Sequence, residues 1–275
     1  MKLIYWFTLM FLSMPLMAGT IKFTSDFESG TIQPDGRTDG WKKQTCESHS
    51  LHVVKQGEMG APAARAGSHM TRFELRTSDR TPSGCTTTSG QKRAEIWTNQ
   101  DYLSLNSDNW IAFSAYMPSA TWSPNREIFI FQIHGCQGNG PSPCLALEAS
   151  NNTWSGYYRA NQSLKDLFDA PITKDKWVDF VLQWRPSTGS DGLIRLWIDG
   201  KEVVNETGPN ISPNPNPYTK VGIFVGGGRT LVSFRDSIKI ANCARGEDCR
   251  SLVAPETETS SPRVPDTPSG LTIRW

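Results

Sequence analysis

Residues 128–134 have the sequence Ile-Phe-Ile-Phe-Gln-Ile-His, which contains no glycine, no proline and no formally charged side chain. β-Branched and aromatic residues of this kind favour a strand, in which side chains alternate between two faces. The predicted faces are Ile128, Ile130, Gln132 and His134 on one side, and Phe129, Phe131 and Ile133 on the other. Gln132 and His134 then point the same way, opposite a wholly apolar face. A lone strand histidine is more often structural than catalytic, but this one needs a partner or a chemical role.

Short apolar segments bounded by turn residues continue on both sides of this stretch. The predicted strands are Met70–Thr77, Arg93–Thr98, Trp110–Pro118, Glu127–His134, Leu145–Ala149, Trp177–Trp184, Leu193–Asp199, Tyr218–Val225 and Leu231–Ile240. Asp199–Gly200 predicts a hairpin turn, and only Ser163–Phe168 hints at a helix. Many short strands with almost no helix predict an all-β fold, either a β-sandwich or a jelly roll. A chain of 275 residues fits one domain of that class.

Three other predicted strands also have one polar and one largely apolar face. The polar faces are Arg72, Glu74 and Arg76; Arg93, Glu95 and Trp97; and Tyr218, Lys220, Gly222 and Phe224. If these strands share a sheet with residues 128–134, that sheet presents a basic surface edged with aromatic rings. The alternative is a solvated face of satisfied Arg–Glu pairs, and it is strongest for Arg72, Glu74 and Arg76.

Charge and the ends of the chain limit the classes of partner. The 28 Lys and Arg residues nearly balance the 27 Asp and Glu residues, which excludes a globally basic binder of nucleic acid or membrane surfaces. A basic start, an apolar run over Leu3–Leu12 and a small residue at Ala18 predict a signal peptide over residues 1–18, and hence a secreted or periplasmic protein. Residues 19–250 are the predicted domain. Residues 251–275, rich in Pro, Ser, Thr and Glu, are the predicted tail.

The six cysteines suit an exported protein with disulfide bonds. The simplest of the many possible pairings joins Cys136 to Cys144, Cys243 to Cys249, and Cys46 to Cys85. No CxxC cluster of the zinc-binding type is present.

Several familiar catalytic motifs are absent from the sequence. It has no G-x-S-x-G nucleophile elbow, no H-E-x-x-H, no P-loop and no convincing dinucleotide fingerprint. A jelly-roll glycosidase needs two carboxylates that flank the scissile bond, usually as E-x-D-x-E on one strand, and no strand has that array. Hydrolysis by paired acids is therefore disfavoured.

Seven motifs in a fixed order carry a resemblance to a known family. They are Arg72-Phe-Glu-Leu-Arg76, Lys92-Arg-Ala-Glu-Ile-Trp97, Trp110-Ile-Ala-Phe-Ser114, Phe131-Gln-Ile-His134, Trp177-Val-Asp-Phe180, Leu196-Trp-Ile-Asp-Gly200 and Tyr218-Thr-Lys-Val-Gly-Ile-Phe224. Together they resemble the secreted jelly-roll polysaccharide lyases of the heparin lyase I and glucuronan lyase group and, more distantly, the alginate lyases. The resemblance spans about residues 22 to 241 and implies a concanavalin-like β-jelly roll with a concave substrate cleft.

The resemblance also implies a reaction and a set of residues for it. Such enzymes cut anionic uronate polymers, such as glucuronan, alginate or glycosaminoglycans, by β-elimination. By this resemblance Gln132 and Arg93 neutralise the uronate carboxylate, and His134 is the general base. The remaining site residues expected on this basis are Lys220 in catalysis and Arg72, Arg76, Glu95, Tyr218 and Tyr158 in substrate binding.

Phe224 departs from the family pattern, because the Y-x-K-x-G-x-Y strand usually ends in a catalytic tyrosine. Three possibilities follow: Tyr157 or Tyr158 supplies the hydroxyl, Tyr218 or Lys220 replaces it, or the protein is a non-catalytic carbohydrate-binding homologue. No cofactor is expected to be required, and the protein is expected to be a monomer. A structural calcium ion held by Glu28 and Asp236 is a further expectation of the resemblance, against the alternative that these are unrelated surface charges.

Overall fold

The computed structural model describes residues 19–34, 40–81, 85–86, 91–136, 143–160, 163–226 and 230–255. The predicted signal peptide and residues 256–275 of the predicted tail lie outside the described residues. Within them, the beginning of that tail forms one helical turn, α1, over Arg250–Val253. The described residues contain no helix of the length and apolarity that crossing a membrane requires.

Strands form nearly all the regular structure. In chain order they are β1 Thr20–Ser25, β2 Lys42–Gln44, β3 Leu51–Lys55, β4 His69–Leu75, β5 Gln91–Trp97, β6 Asp108–Tyr116, β7 Ile128–His134, β8 Leu145–Ala149, β9 Thr153–Ala160, β10 Ser163–Pro171, β11 Trp177–Arg185, β12 Leu193–Ile198, β13 Lys201–Thr207, β14 Tyr218–Gly226 and β15 Leu231–Cys243. Each predicted strand is present. The helix hinted at over Ser163–Phe168 is wrong: these residues pair with β9, so sheet pairing overrides the local preference.

The strands form two antiparallel sheets. The eight-stranded sheet has the order β13-β12-β11-β6-β15-β4-β3, with β1 also paired to β15. The seven-stranded sheet has the order β10-β9-β8-β7-β14-β5-β2. This two-layer arrangement confirms the predicted jelly-roll sandwich. It also separates β4 from the other polar-faced strands, because β5, β7 and β14 are neighbours in the seven-stranded sheet and β4 is in the other one.

The main core lies between the two sheets. Phe113 of β6 stacks on Phe131 of β7 at 5.2 Å and on Phe180 of β11 at 5.0 Å between ring centroids, so it joins the layers. Burial of one such ring stabilises the fold by about 1.5–3 kcal/mol. Arg235 of β15 is also fully buried here, and its guanidinium donates to the carbonyl oxygen of Gly222 at 3.2 Å.

A β-bulge in β7 changes which side chains face the core. The register with β8 shifts between Phe129 and Phe131, so Ile130 and Phe131 both point inward. The predicted alternation is therefore wrong for the first half of the strand. Ile128 and Ile130 are in the core, whereas Phe129 shares the outer face of the seven-stranded sheet with Gln132 and His134.

All three predicted disulfide pairs are present. The Cα–Cα distances are 5.5 Å for Cys46–Cys85, 5.8 Å for Cys136–Cys144 and 6.7 Å for Cys243–Cys249. Cys136–Cys144 joins the end of β7 to the beginning of β8, whereas Cys243–Cys249 joins β15 to the turn before α1. Three disulfide bonds are compatible with an exported protein.

Candidate active site

Three adjacent strands of the seven-stranded sheet position the central side chains. Cross-strand partners in an antiparallel sheet share a face, and the partners here are Tyr218 with His134, Lys220 with Gln132, and Phe224 with Arg93. All these side chains except Tyr218 line one open pocket, and Tyr218 lies partly exposed beside His134. The fold thus brings the four residues predicted to be catalytic into one site: Arg93, Gln132, His134 and Lys220.

Glu95 lies beneath this pocket and connects its polar groups. Gln132 Nε2 donates to Glu95 Oε1 at 2.5 Å, and Lys220 Nζ lies 3.5 Å from Glu95 Oε2. Arg93 Nε lies 3.8 Å from the same oxygen. Burial raises the pKa of Glu95, while the positive charges of Lys220 and Arg93 act in the opposite direction. Two cations face one anion, so the site keeps a net positive charge for an anionic ligand.

His134 is neutral at neutral pH and can accept a proton. Burial lowers its pKa to about 4, and the positive charges of Lys220 and Arg93 contribute to this shift. Its Nδ1 lies 3.0 Å from the hydroxyl oxygen of Tyr218. The Tyr218 ring packs against the rings of His134 and Trp97, with centroid distances of 5.3 and 4.9 Å.

Phe224 belongs to an aromatic cluster beside these groups. Its ring stacks on Phe129 at 5.2 Å, and the Arg93 guanidinium carbon lies 4.4 Å from its centroid. This cation–π contact keeps Arg93 over the pocket. Phe224 has no proton to transfer, so its contribution is packing and the placement of Arg93.

Comparison with known proteins identifies the family. A family model described as polysaccharide lyase matches residues 29–239, which is more than half of the chain. The chain belongs to the polysaccharide lyase family. No curated protein sequence matches this lyase.

Solved structures similar to this lyase have the same fold. The endo-β-1,4-glucuronan lyase of the fungus Trichoderma reesei has a TM-score of 0.58 and 14% identity, over 81% of this chain and 97% of that chain. The cellulose induced protein Cip1 has a TM-score of 0.54 and 13% identity, over 82% and 100%. An alginate lyase, A1-II′, has a TM-score of 0.50 and 14% identity, over 74% and 94%. Such low identities show the jelly-roll fold alone.

Tyr157, not Tyr158, lies on the cleft face of the lyase. Tyr158 is 4% exposed and packs in the main core, so the predicted substrate contact of Tyr158 is wrong. The alternation of β9 places Tyr157 in the pocket, where its ring lies 6.1 Å from that of Phe129. Burial raises the pKa of Tyr157 to about 12, and the charge of Glu148 adds to this effect.

Arg72 and Arg76 are not part of this pocket. Arg72 lies in β4 of the eight-stranded sheet and Arg76 directly follows that strand. Both pair with Glu74, at 2.6 Å for Arg72 and 2.5 Å for Arg76. Met70, two residues before Arg72, packs on the outer face of that sheet with Val232. The structure thus has the satisfied Arg–Glu pairs of the alternative interpretation, and Arg72 and Arg76 do not line this pocket. Their contact with a substrate stays a prediction. Glu95 does not line this pocket either, and it accepts a hydrogen bond from Gln132, which does.

Arg159, Phe129 and Glu148 are among the residues of the cleft face that the sequence did not predict. Arg159 lines the pocket and donates to the carbonyl oxygen of Pro143 at 3.2 Å. Phe129 was assigned to the wrong face because the bulge is not visible in the sequence. Glu148 is on the face of β8 that points away from the core. Burial raises its pKa to about 7, and the negative charges of Glu127 and Asp166 add to this shift. Alternation within residues 145–149 and 157–159 is the signal that would have found Glu148 and Arg159.

Glu28 and Asp236 both bind the segment around residues 65–69. Glu28 Oε1 accepts from the backbone N–H groups of Ser68 and His69, both at 2.8 Å. Asp236 Oδ2 accepts from those of Arg65 at 2.9 Å and Ala66 at 3.1 Å. Calcium needs oxygen ligands, whereas N–H donors surround these carboxylates. This arrangement fits an anchor for the segment better than a cation site, and the calcium ion stays a prediction.

Proposed function

We propose that this lyase cleaves an anionic, uronate-containing polysaccharide by β-elimination, with His134 as the general base. One observation carries the proposal: a neutral histidine lies in an open pocket whose charged neighbours sum to a positive charge. The proposal needs no cofactor, because side chains supply both the base and the positive charge.

The chemistry of the reaction assigns the other side chains. The C5 proton of a uronate is a weak acid until the adjacent carboxylate is neutralised. Arg93 and Lys220 supply positive charge, and an amide group has two N–H donors, of which Gln132 uses one on Glu95. In this proposal the other N–H of Gln132, which lines the pocket, donates to the substrate carboxylate. The three side chains would thus stabilise the enolate-like intermediate after His134 takes the C5 proton.

The named neighbours support a polyanionic substrate for this chain. Two of them are lyases of glucuronan and alginate, both of which are polyuronates. We further propose that the enzyme works outside the cytoplasm, as the three disulfide bonds suggest. The monomeric state stays a prediction.

Ultraviolet absorbance of reaction mixtures tests the reaction type. Elimination leaves a C4–C5 double bond conjugated to the carboxylate, which absorbs where the intact polymer does not. The purified protein is incubated separately with glucuronan, alginate, heparin and hyaluronan, and a rise with at least one of them is expected. New reducing ends without absorbance would mean hydrolysis and would contradict the proposal.

The variant His134→Ala tests the base. We expect it to lose the unsaturated product by about 10²–10⁴-fold while its Tm and circular dichroism stay those of the wild type. His52→Ala is the matched control, since His52 belongs to β3 in the other sheet. Turnover by His134→Ala at the rate of this control would refute the assignment.

Phe224 favours a second candidate, a carbohydrate-binding homologue without activity. That protein would be retained on a polyuronate column and would produce neither double bonds nor reducing ends at any pH. Retention without product in the absorbance experiment would select this candidate.

A further inference from the structure

We propose that Tyr218 is the general acid that protonates the departing O4 atom, in place of the tyrosine that this chain lacks at position 224. This inference rests on the proposed function and adds a catalytic residue to it. The evidence is the position of the Tyr218 hydroxyl, 3.0 Å from Nδ1 of His134.

The geometry of a syn elimination requires the acid and the base to be neighbours. The proton leaves C5 and the oxygen leaves C4, and these carbons are bonded to each other. When the proton and O4 leave from the same face of the sugar, the acid and the base that serve them lie within a few ångströms of each other. Tyr218 and His134 meet this condition, because they are cross-strand partners at the end of β7 and the start of β14.

The other proton carriers of the pocket fit this condition less well. Lys220 Nζ donates to Gln44 Oε1 at 2.7 Å and lies 3.5 Å from Glu95 Oε2, so two of its three donors face protein groups. Tyr157 is on β9, with β8 between it and the His134 strand. Its ring contacts Phe129 and not His134. Tyr157 is therefore the rival that the experiment must separate from Tyr218.

Packing holds the Tyr218 hydroxyl at the base. The ring lies against Trp97 on one side and His134 on the other. Burial raises the pKa of Tyr218, and the charge of Glu95 adds to the shift, so the hydroxyl keeps its proton until O4 departs. Because Tyr218 is still partly exposed, a bound sugar can approach it.

The proton balance of the step closes without a co-reactant. Nε2 of His134 takes the C5 proton, the electron pair of that C–H bond forms the C4–C5 double bond, and the C4–O4 bond breaks. O4 takes the hydroxyl proton of Tyr218. The tyrosinate recovers a proton from Nδ1 of the imidazolium through the hydrogen bond between them. Solvent exchange at the imidazole then restores the starting tautomer.

Conservative variants test the assignment. Tyr218→Phe removes the hydroxyl and keeps the ring, and Tyr157→Phe makes the same change in the rival tyrosine. With the polymer that the wild type cleaves, kcat of Tyr218→Phe is expected to fall about 10²–10⁴-fold with little change in KM or Tm. For Tyr157→Phe a change of less than about tenfold is expected. If Tyr218→Phe keeps the wild-type kcat, or if Tyr157→Phe shows the larger loss, the inference is wrong.

Deuterium exchange separates the acid from the base. In heavy water, Tyr218→Phe should still exchange the C5 proton of the substrate, because His134 is intact, whereas His134→Ala should not. Loss of exchange in Tyr218→Phe would assign Tyr218 to proton abstraction and would overturn its role at O4. A wild-type protein that forms no unsaturated product would refute the proposed function itself, which is why the wild type is measured first.

Discussion

His134 has a pKa of about 4 because it is buried and because Lys220 and Arg93 are positively charged. A base must be unprotonated to act, so activity should be lost only as the pH falls through this value. Removing one of the two charges should bring the His134 pKa back towards its ordinary value of 6.5. The same charges that attract the substrate therefore also keep the base available in mildly acidic solution.

The variant Lys220→Gln tests this coupling. We expect the acidic limb of the pH profile of kcat/KM to move to higher pH than in the wild type, together with a lower maximal rate. The measurement is kcat/KM between about pH 3 and pH 8, since this range includes the ordinary and the lowered pKa. Lys55→Gln, on β3 of the other sheet, is the control and should leave the limb in place. An unmoved limb in Lys220→Gln would show that Lys220 does not set the His134 pKa.

At the scale of single elements, the alternation of polar and apolar residues predicted most of the strands and much of the site. It placed Arg93, Gln132, His134 and Lys220 on one surface because β5, β7 and β14 have regular alternation there. It failed for Phe129, because a bulge depends on the partner strand and leaves no local signal. It could not assign β4 to a sheet, since an Arg–Glu face looks the same beside a cleft and on an outer surface.

The Cys136–Cys144 disulfide ties together two strands next to the base. Cys136 follows His134 by two residues, and Cys144 precedes β8. The double variant Cys136→Ala/Cys144→Ala should lower the free energy of unfolding by about 2–3 kcal/mol, as expected for a short disulfide loop. It should also lower kcat/KM, because the end of β7 is then less constrained.

A second double variant, Cys243→Ala/Cys249→Ala, is the matched control. Its sequence separation of 6 is close to the 8 of the first pair, so a similar loss of stability is expected. This bond lies with Trp110 and Val181 in a separate cluster of the eight-stranded sheet, and kcat/KM should stay unchanged. Chemical denaturation and initial rates measure the two quantities. Equal activity losses in both variants would mean that the bond beside β7 has no specific effect on the site.

At the scale of the whole molecule, the charges balance while the pocket is positive. Only Lys2 is charged within residues 1–18, so the rest of the chain has 27 basic and 27 acidic side chains. Long-range attraction of a polyanion by the total charge is therefore absent, and attraction is confined to the cleft. Glu148 of β8, the strand next to β7, and Asp166 of β10 limit the positive region on one side.

The salt dependence of the reaction measures this local attraction. Between about 0.05 and 0.5 M salt, KM for the polymer is expected to rise a few-fold, while kcat changes by less than about twofold, because the screening length falls below the size of the cleft. In Arg93→Gln the rise should be smaller, since one of the cations is gone. A KM that does not depend on salt would mean that the cleft charges do not contribute to binding.

The bulge in β7 has a consequence for how such a sequence can change over generations. In a strand with strict alternation, the insertion or deletion of one residue moves every later side chain to the other face. In β7 the bulge separates the apolar first half from Gln132 and His134, so it can absorb a one-residue change near its entry. Between Phe131 and His134 no such buffer exists, and a deletion there would turn either the amide or the imidazole into the core. The apolar first half of the strand can thus tolerate a change in length, whereas the spacing between Gln132 and His134 is fixed.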